Sequence, residues 1–176
     1  IVVVIYAVAV LKIVPGLEIL LKPVTLLTGR DMTFSNRSMI WDIIKRDMVN
    51  WPILGAGYSG YWIGPDPSSP SYKFLGLMYF YPTQSHSGYL EMANDLGYVG
   101  LFVLLGFLLV YVRQGIKLYL MDRGQGALFL SLFFQQCVIN LSEATWFQIS
   151  QPITTITIMF AIFAMARTLA EIKRTG

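Results

Sequence analysis

The only histidine of the chain, His86, is the residue best placed to do chemistry. It sits in the run Gln84-Ser85-His86-Ser87-Gly88-Tyr89-Leu90-Glu91-Met92-Ala93-Asn94-Asp95-Leu96-Gly97-Tyr98-Val99-Gly100-Leu101, which passes from polar to apolar within a few residues. A neutral imidazole gives or takes a proton near neutral pH. At the mouth of a transmembrane helix it would meet the polar head of a lipid-carried substrate. The other reading is a structural histidine. The lone Cys137 excludes an internal disulfide framework and a zinc site built from several thiolates. It lies in an apolar run, where it serves as a small buried hydrophobe.

The elements that must position His86 are those of a membrane protein. Hydrophobic residues make up 55% of the 176 and charged residues 13%, with a mean hydropathy of +0.58. An ordinary soluble domain carries about 25% charged residues. The apolar residues fall in long runs, which points to a bilayer rather than a globular core. A net charge of +3 on dispersed basic residues is no nucleic-acid signature.

The chain opens inside an apolar run, Ile1 to Leu11, too short at about 1.5 Å per residue to cross a hydrocarbon core of about 30 Å. No basic segment precedes it and no small-residue cleavage site follows, so it is a poor signal peptide. We read residues 1–11 as the end of a helix and the chain as the C-terminal part of a larger protein, whose upstream half would be its partner. Three spans follow: Leu96 to Val112, Ala127 to Leu141, and Pro152 to Ala170. Pro152 suits a first helical turn. Gln135, Gln136 and Asn140 should face other helices or a wet cavity, either to bond between helices or to meet substrate.

Arg113, Lys117 and Arg123 between the first two spans, and Arg167, Lys173 and Arg174 after the last, mark the cytoplasmic side. Residues 12–95 then form one large extracytoplasmic loop. The expected fold class is an all-α polytopic membrane protein, with this loop carrying short amphipathic helices and residues 96–176 forming three transmembrane helices and a basic tail.

Within the loop, Ser35 to Asn50 reads as an amphipathic helix capped by Ser35 or Asn36 and ended by Trp51-Pro52. Its apolar face is Ile40, Trp41, Ile43, Ile44 and Met48, and its polar residues are Arg37, Asp42, Lys45 and Arg46. Gly55-Ala56-Gly57-Tyr58-Ser59-Gly60 spells GxGxxG, but no strand precedes it and no βαβ unit follows. The glycines allow a tight turn or a close backbone approach. Gly64 to Tyr72 is a loop. The aromatic-rich stretch Tyr72 to Tyr81 suits a membrane interface or a sugar-stacking wall.

An ordered set of motifs then carries a resemblance. Thr28-Gly29-Arg30, Arg37-x-x-x-Trp41, Pro52-Ile53-Leu54-Gly55-Ala56-Gly57, His86-x-Gly88-Tyr89-Leu90, Leu96-Gly97-x-x-Gly100-Leu101 and Asn140-Leu141-Ser142-Glu143 together resemble the O-antigen ligase and polysaccharide polymerase superfamily. The form of the histidine motif is most similar to exopolysaccharide polymerases. The resemblance covers nearly all of this chain but only the C-terminal part of such proteins. It implies glycosyl transfer at the outer face of the bacterial cytoplasmic membrane. The donor would be a glycan on undecaprenyl pyrophosphate, and the acceptor a sugar hydroxyl on another lipid-linked repeat or on the lipid A core.

Neither metal nor other cofactor is implied, and the sequence has no Asp-x-Asp pair and no cluster of His or Cys ligands. Arg37 matches the family position for clamping the departing pyrophosphate, whose oxygens fit the fixed donor fork of arginine. Arg30 is a second clamp, seven residues earlier. The alternative for both is a solvated face. His86 matches the family histidine, to orient or deprotonate the acceptor hydroxyl, and Glu143 would hold that imidazole or a sugar hydroxyl. The alternative for Glu143 is a carboxylate at a helix N-terminus. Trp41 and Tyr89 are further substrate-binding candidates. Glu91, about one turn beyond His86, caps or solvates the helix start. The family often has Asn directly after the histidine, where this chain has Ser87, which lacks the amide's paired donor and acceptor. Other family arginines would lie upstream of Ile1, so this chain alone should be inactive. Two other classes remain: part of a transporter or flippase, which predicts inverted repeats and charges near mid-membrane, and a non-catalytic membrane scaffold.

Overall fold

The computed structural model describes residues 37–78, 80–148 and 152–175. They form five α-helices: α1 (Arg37–Asp47), α2 (Phe74–Leu77), α3 (Gly88–Met121), α4 (Arg123–Ile139) and α5 (Pro152–Thr175). A 3₁₀ turn, Met48–Asn50, continues α1, and no strand occurs among the described residues. The chain divides into two units between Ile43 and Ile44, inside α1.

Of the first unit, the described part is the start of α1. Ile40, Trp41 and Ile43 are buried, and Met39 and Asp42 are exposed, as expected of an amphipathic helix. The expected caps Ser35 and Asn36, the apolar run 1–11, the expected substrate clamp Arg30 and its motif Thr28-Gly29-Arg30 lie outside the described residues. The helix gives way to the 3₁₀ turn and stops before Trp51-Pro52, as the proline dictates.

In the second unit, α3 packs mainly against α4 and less against α5. Among the described residues, two helices, α3 and α5, are long and apolar enough to cross a membrane. Phe102, Val103, Leu109 and Val110 on α3 and Ile153, Met159, Phe160 and Phe163 on α5 are exposed, an apolar surface of the kind that meets lipid or another protein. α4 differs from the expected span. Asp122 caps it by accepting from the Gln125 N–H at 3.0 Å, so it starts at Arg123. Its 17 residues reach only about 26 Å. α5 starts at Pro152, as expected.

α3 begins at Gly88, eight residues before the expected start of the span. It is broken at Gly97, whose φ of 64° and ψ of −162° lie in a region open essentially to glycine alone. The break frees backbone groups, and the Pro52–Gly57 loop takes them up. Ala56 N–H donates to Asn94 O at 2.8 Å and Gly57 N–H to Asp95 O at 3.0 Å. Beyond the break, Tyr98 N–H donates to Pro52 O at 2.8 Å and Val99 N–H to Ile53 O at 3.2 Å. The GxGxxG stretch is therefore a close backbone approach. A Cβ at Gly55, which has φ +73°, would lie 2.5 Å from Leu96 N. From Tyr98 to Lys117 the helix covers about 30 Å, the depth of a hydrocarbon core.

The loop between α1 and α3 has its own small core. Tyr61 packs edge-on against Trp51, Trp62 and Phe74. Its hydroxyl donates to Asp47 Oδ2 at 2.5 Å. Burial first, and that carboxyl second, push the Tyr61 phenol above its ordinary pKa, so it stays a donor. Lys73 pairs with the same carboxylate. The expected aromatic stretch 72–81 thus contributes Phe74 and Met78 to a core, with Phe80 exposed.

Candidate active site

His86 lies two residues before α3 in a left-handed backbone conformation, φ 54°. Such a φ is uncommon for a residue with a Cβ and is found where surrounding contacts over-determine the chain. Those contacts are explicit. Ser85 N–H donates to Glu91 Oε2 at 2.7 Å, and Trp62 Nε1–H donates to Glu91 Oε1 at 2.6 Å. Ser85 Oγ donates to Ser87 O at 2.9 Å, and Glu91 N–H to Ser87 O at 2.8 Å. Glu91, expected to cap or solvate the helix start, is instead 2% exposed. It ties the turn before α3 to the loop core because both carboxyl oxygens have donors, which offsets part of the desolvation of the group.

The other wall is the turn after α4. Asn140 is fully buried and organises it. Its Oδ1 accepts from Thr145 N–H at 2.9 Å and Trp146 N–H at 3.0 Å, and its Nδ2 donates to Gln136 O at 2.9 Å and Thr145 Oγ1 at 2.7 Å. Gly88 N–H points at this turn and is shared between Asn140 O at 2.9 Å and Glu143 O at 3.1 Å. Gly88 must be glycine for space: a Cβ there would overlap Asn140 Oδ1 and lie 2.6 Å from Trp146 Cδ1. The glycine of the His-x-Gly-Tyr-Leu motif and the Asn-Leu-Ser-Glu motif are thus one docking surface.

That docking brings two of the expected site residues together. His86 Nδ1 lies 3.3 Å from Glu143 Oε2. Gln84 Nε2, which sequence reasoning passed over although it is two residues from His86, lies 3.5 Å from both atoms. The side chains of His86 and Glu143 are 29% and 44% exposed, so the pair is open to solvent. With Nδ1–H turned to the carboxylate, Nε2 keeps its lone pair for another partner. Among the described residues no cluster of three His, Cys, Asp or Glu could hold a metal.

The remaining candidates lie elsewhere. Tyr89 donates its hydroxyl to Cys137 O at 3.1 Å and sets its ring edge-on to Trp146, fastening α3 to α4. Arg37 opens α1 and is half-exposed, and Trp41 is 6% exposed, which leaves little ring face for a sugar. Both belong to the first unit. Asn140 was read as a polar residue in a span, and only its place in the Asn-Leu-Ser-Glu motif signalled its role. Ser87 Oγ, at the position where the resembling family often has Asn, is buried without a hydrogen-bond partner among the described residues.

Comparison with family models, with curated proteins and with solved structures returned no match.

Proposed function

We propose that the chain is the C-terminal part of a membrane glycosyltransferase of the O-antigen ligase and polymerase type. The protein would be a multi-pass protein of the bacterial cytoplasmic membrane, with residues 12–95 on the outer face. The observation that carries the reading is the half-exposed His86–Glu143 pair, held beside the N-terminus of a helix apolar enough to enter a membrane. The acceptor hydroxyl oxygen attacks the anomeric carbon of the donor glycan. The bond from that carbon to the pyrophosphate oxygen breaks, and the lipid pyrophosphate leaves with the electron pair. His86 Nε2 takes the hydroxyl proton, and Glu143 holds the imidazole and stabilises the imidazolium that forms. Arg37, with Arg30 as a second clamp, meets the charge developing on the pyrophosphate.

The test is His86→Ala and Arg37→Ala in the full-length protein, with surface polysaccharide sized on a gel and membrane levels of each variant checked. Loss of long polymer with accumulation of single lipid-linked repeats identifies a polymerase. Polymer that is made but not attached to the lipid A core identifies a ligase. Unchanged polysaccharide in both variants overturns the catalytic assignment and leaves a scaffold or transporter part.

A further inference from the structure

At the opposite end of the apolar helices from His86, α3 and α5 leave a cleft of about 480 Å³ between them. The lining residues follow the same chain order on both helices, so the cleft has a deep end and a shallow end. Phe107 on α3 lines the deep end, and Gln114 and Lys117 on the same helix line the shallow one. From Phe107 to Lys117 is ten helical steps, about 15 Å, half the depth of a hydrocarbon core of about 30 Å. The cleft is therefore one leaflet deep. The opposite wall is low because α5 presents Ala166 and Ala170, one turn apart, where larger side chains would close the gap. The lining is otherwise apolar, includes no carboxylate, and ends in one ammonium and one amide.

We propose that this cleft binds one anionic glycerophospholipid of the cytoplasmic leaflet, with an acyl chain between α3 and α5 and its phosphate on Lys117 and Gln114. Three observations favour this occupant over a helix, whether of another protein or of the remaining part of this one. The cleft has the depth of one acyl leaflet. Its only charge is positive and stands at the polar end. Arg113 and Arg123, both exposed on the same side of the membrane, add to the attraction for an anionic headgroup. The inference rests on α3 and α5 spanning a membrane and not on the transfer reaction.

The experiment is native mass spectrometry of the full-length protein in detergent, titrated with palmitoyl-oleoyl phosphatidylglycerol or with the matching phosphatidylcholine. The wild type should retain one phosphatidylglycerol about fivefold more strongly than phosphatidylcholine, the weight of one basic residue at an anionic surface. Lys117→Gln should abolish that preference, and Ala166→Phe, which fills the cleft, should displace both lipids. Equal retention of the two lipids by the wild type, or retention unmoved by both variants, overturns the proposal. So does a photoreactive amino acid at position 110, in the cleft wall, that cross-links to protein rather than to lipid. Extraction of the full-length protein by carbonate would sink the membrane reading itself, separately from the lipid site.

Discussion

Replacing Gly97 by alanine should unseat the Pro52–Gly57 loop. If the break in α3 is kept, alanine must adopt φ 64° and ψ −162°, at a strain of about 1–3 kcal/mol. Its Cβ would also overlap Ile53 O and lie 2.7 Å from Gly55 N, both main-chain atoms that cannot turn aside. If α3 straightens instead, the helix recovers its own hydrogen bonds and alanine's helix propensity returns about 1 kcal/mol. Pro52 O, Ile53 O, Ala56 N–H and Gly57 N–H then lose their partners, at about 1 kcal/mol each. Either route leaves a loss of about 3 kcal/mol, which lowers Tm by about 6–12 °C in a protein of about 150–250 residues and by less in a longer one. The assay is thermal unfolding of the full-length protein in detergent, with amide hydrogen exchange at residues 56 and 57. Gly76→Ala is the control, because a Cβ there meets nothing within 4 Å. A Gly97→Ala protein that melts within about 2 °C of wild type, with amides 56 and 57 still protected, would refute the reasoning.

Gly88→Ala should displace the Asn140 side chain and lower stability by about 2–3 kcal/mol through lost hydrogen bonds; under the proposed function, transfer activity should fall with it, because Glu143 rides on the same turn. Full activity and unchanged melting in that variant would mean that the turn after α4 does not hold the site. Tyr89→Phe should lose about 1 kcal/mol, the value of its bond to Cys137 O, and under the proposed function keep transfer activity. A variant that melts normally but transfers poorly would return Tyr89 to the substrate.

Much of the helical frame was legible. Pro152 starts α5 because a missing N–H is harmless in a first turn, and Trp51-Pro52 ends the run that begins as α1, because proline disfavours a helical residue before it. The start of α3 was not. Glu91, Asn94 and Asp95 lower the apolar average of the run and read as an external loop, yet all three are buried. Their burial depends on Trp62, Ser59 and the loop backbone, which lie some thirty or more residues away. The break at Gly97 was hidden for the same reason. One glycine inside an apolar run is compatible with a continuous helix, and only the distant 52–57 segment decides otherwise. α4 starts four residues before the expected span because Asp122 caps it, and hydropathy does not see a cap. For the site, residue type and motif order put His86 and Glu143 in the same group, and the structure brings them to 3.3 Å. The supports, Glu91 and Asn140, bind backbone groups together with the Trp62 and Thr145 side chains, and only the fold brings these partners to them.

The junction between the Pro52–Gly57 loop and α3 is written in peptide groups rather than side chains. Each of its four bonds joins one main chain to another, so the letters at Ile53, Leu54, Ala56, Asn94 and Tyr98 do not enter the pairing itself. Two kinds of information are needed for it: where the glycines stand, and how many residues separate the two segments. The junction therefore tolerates exchange of most letters but not a shift of register. Inserting or deleting one residue between Ile53 and Ala56 would put one pair of bonds out of step with the other, a change more disruptive than several substitutions made together.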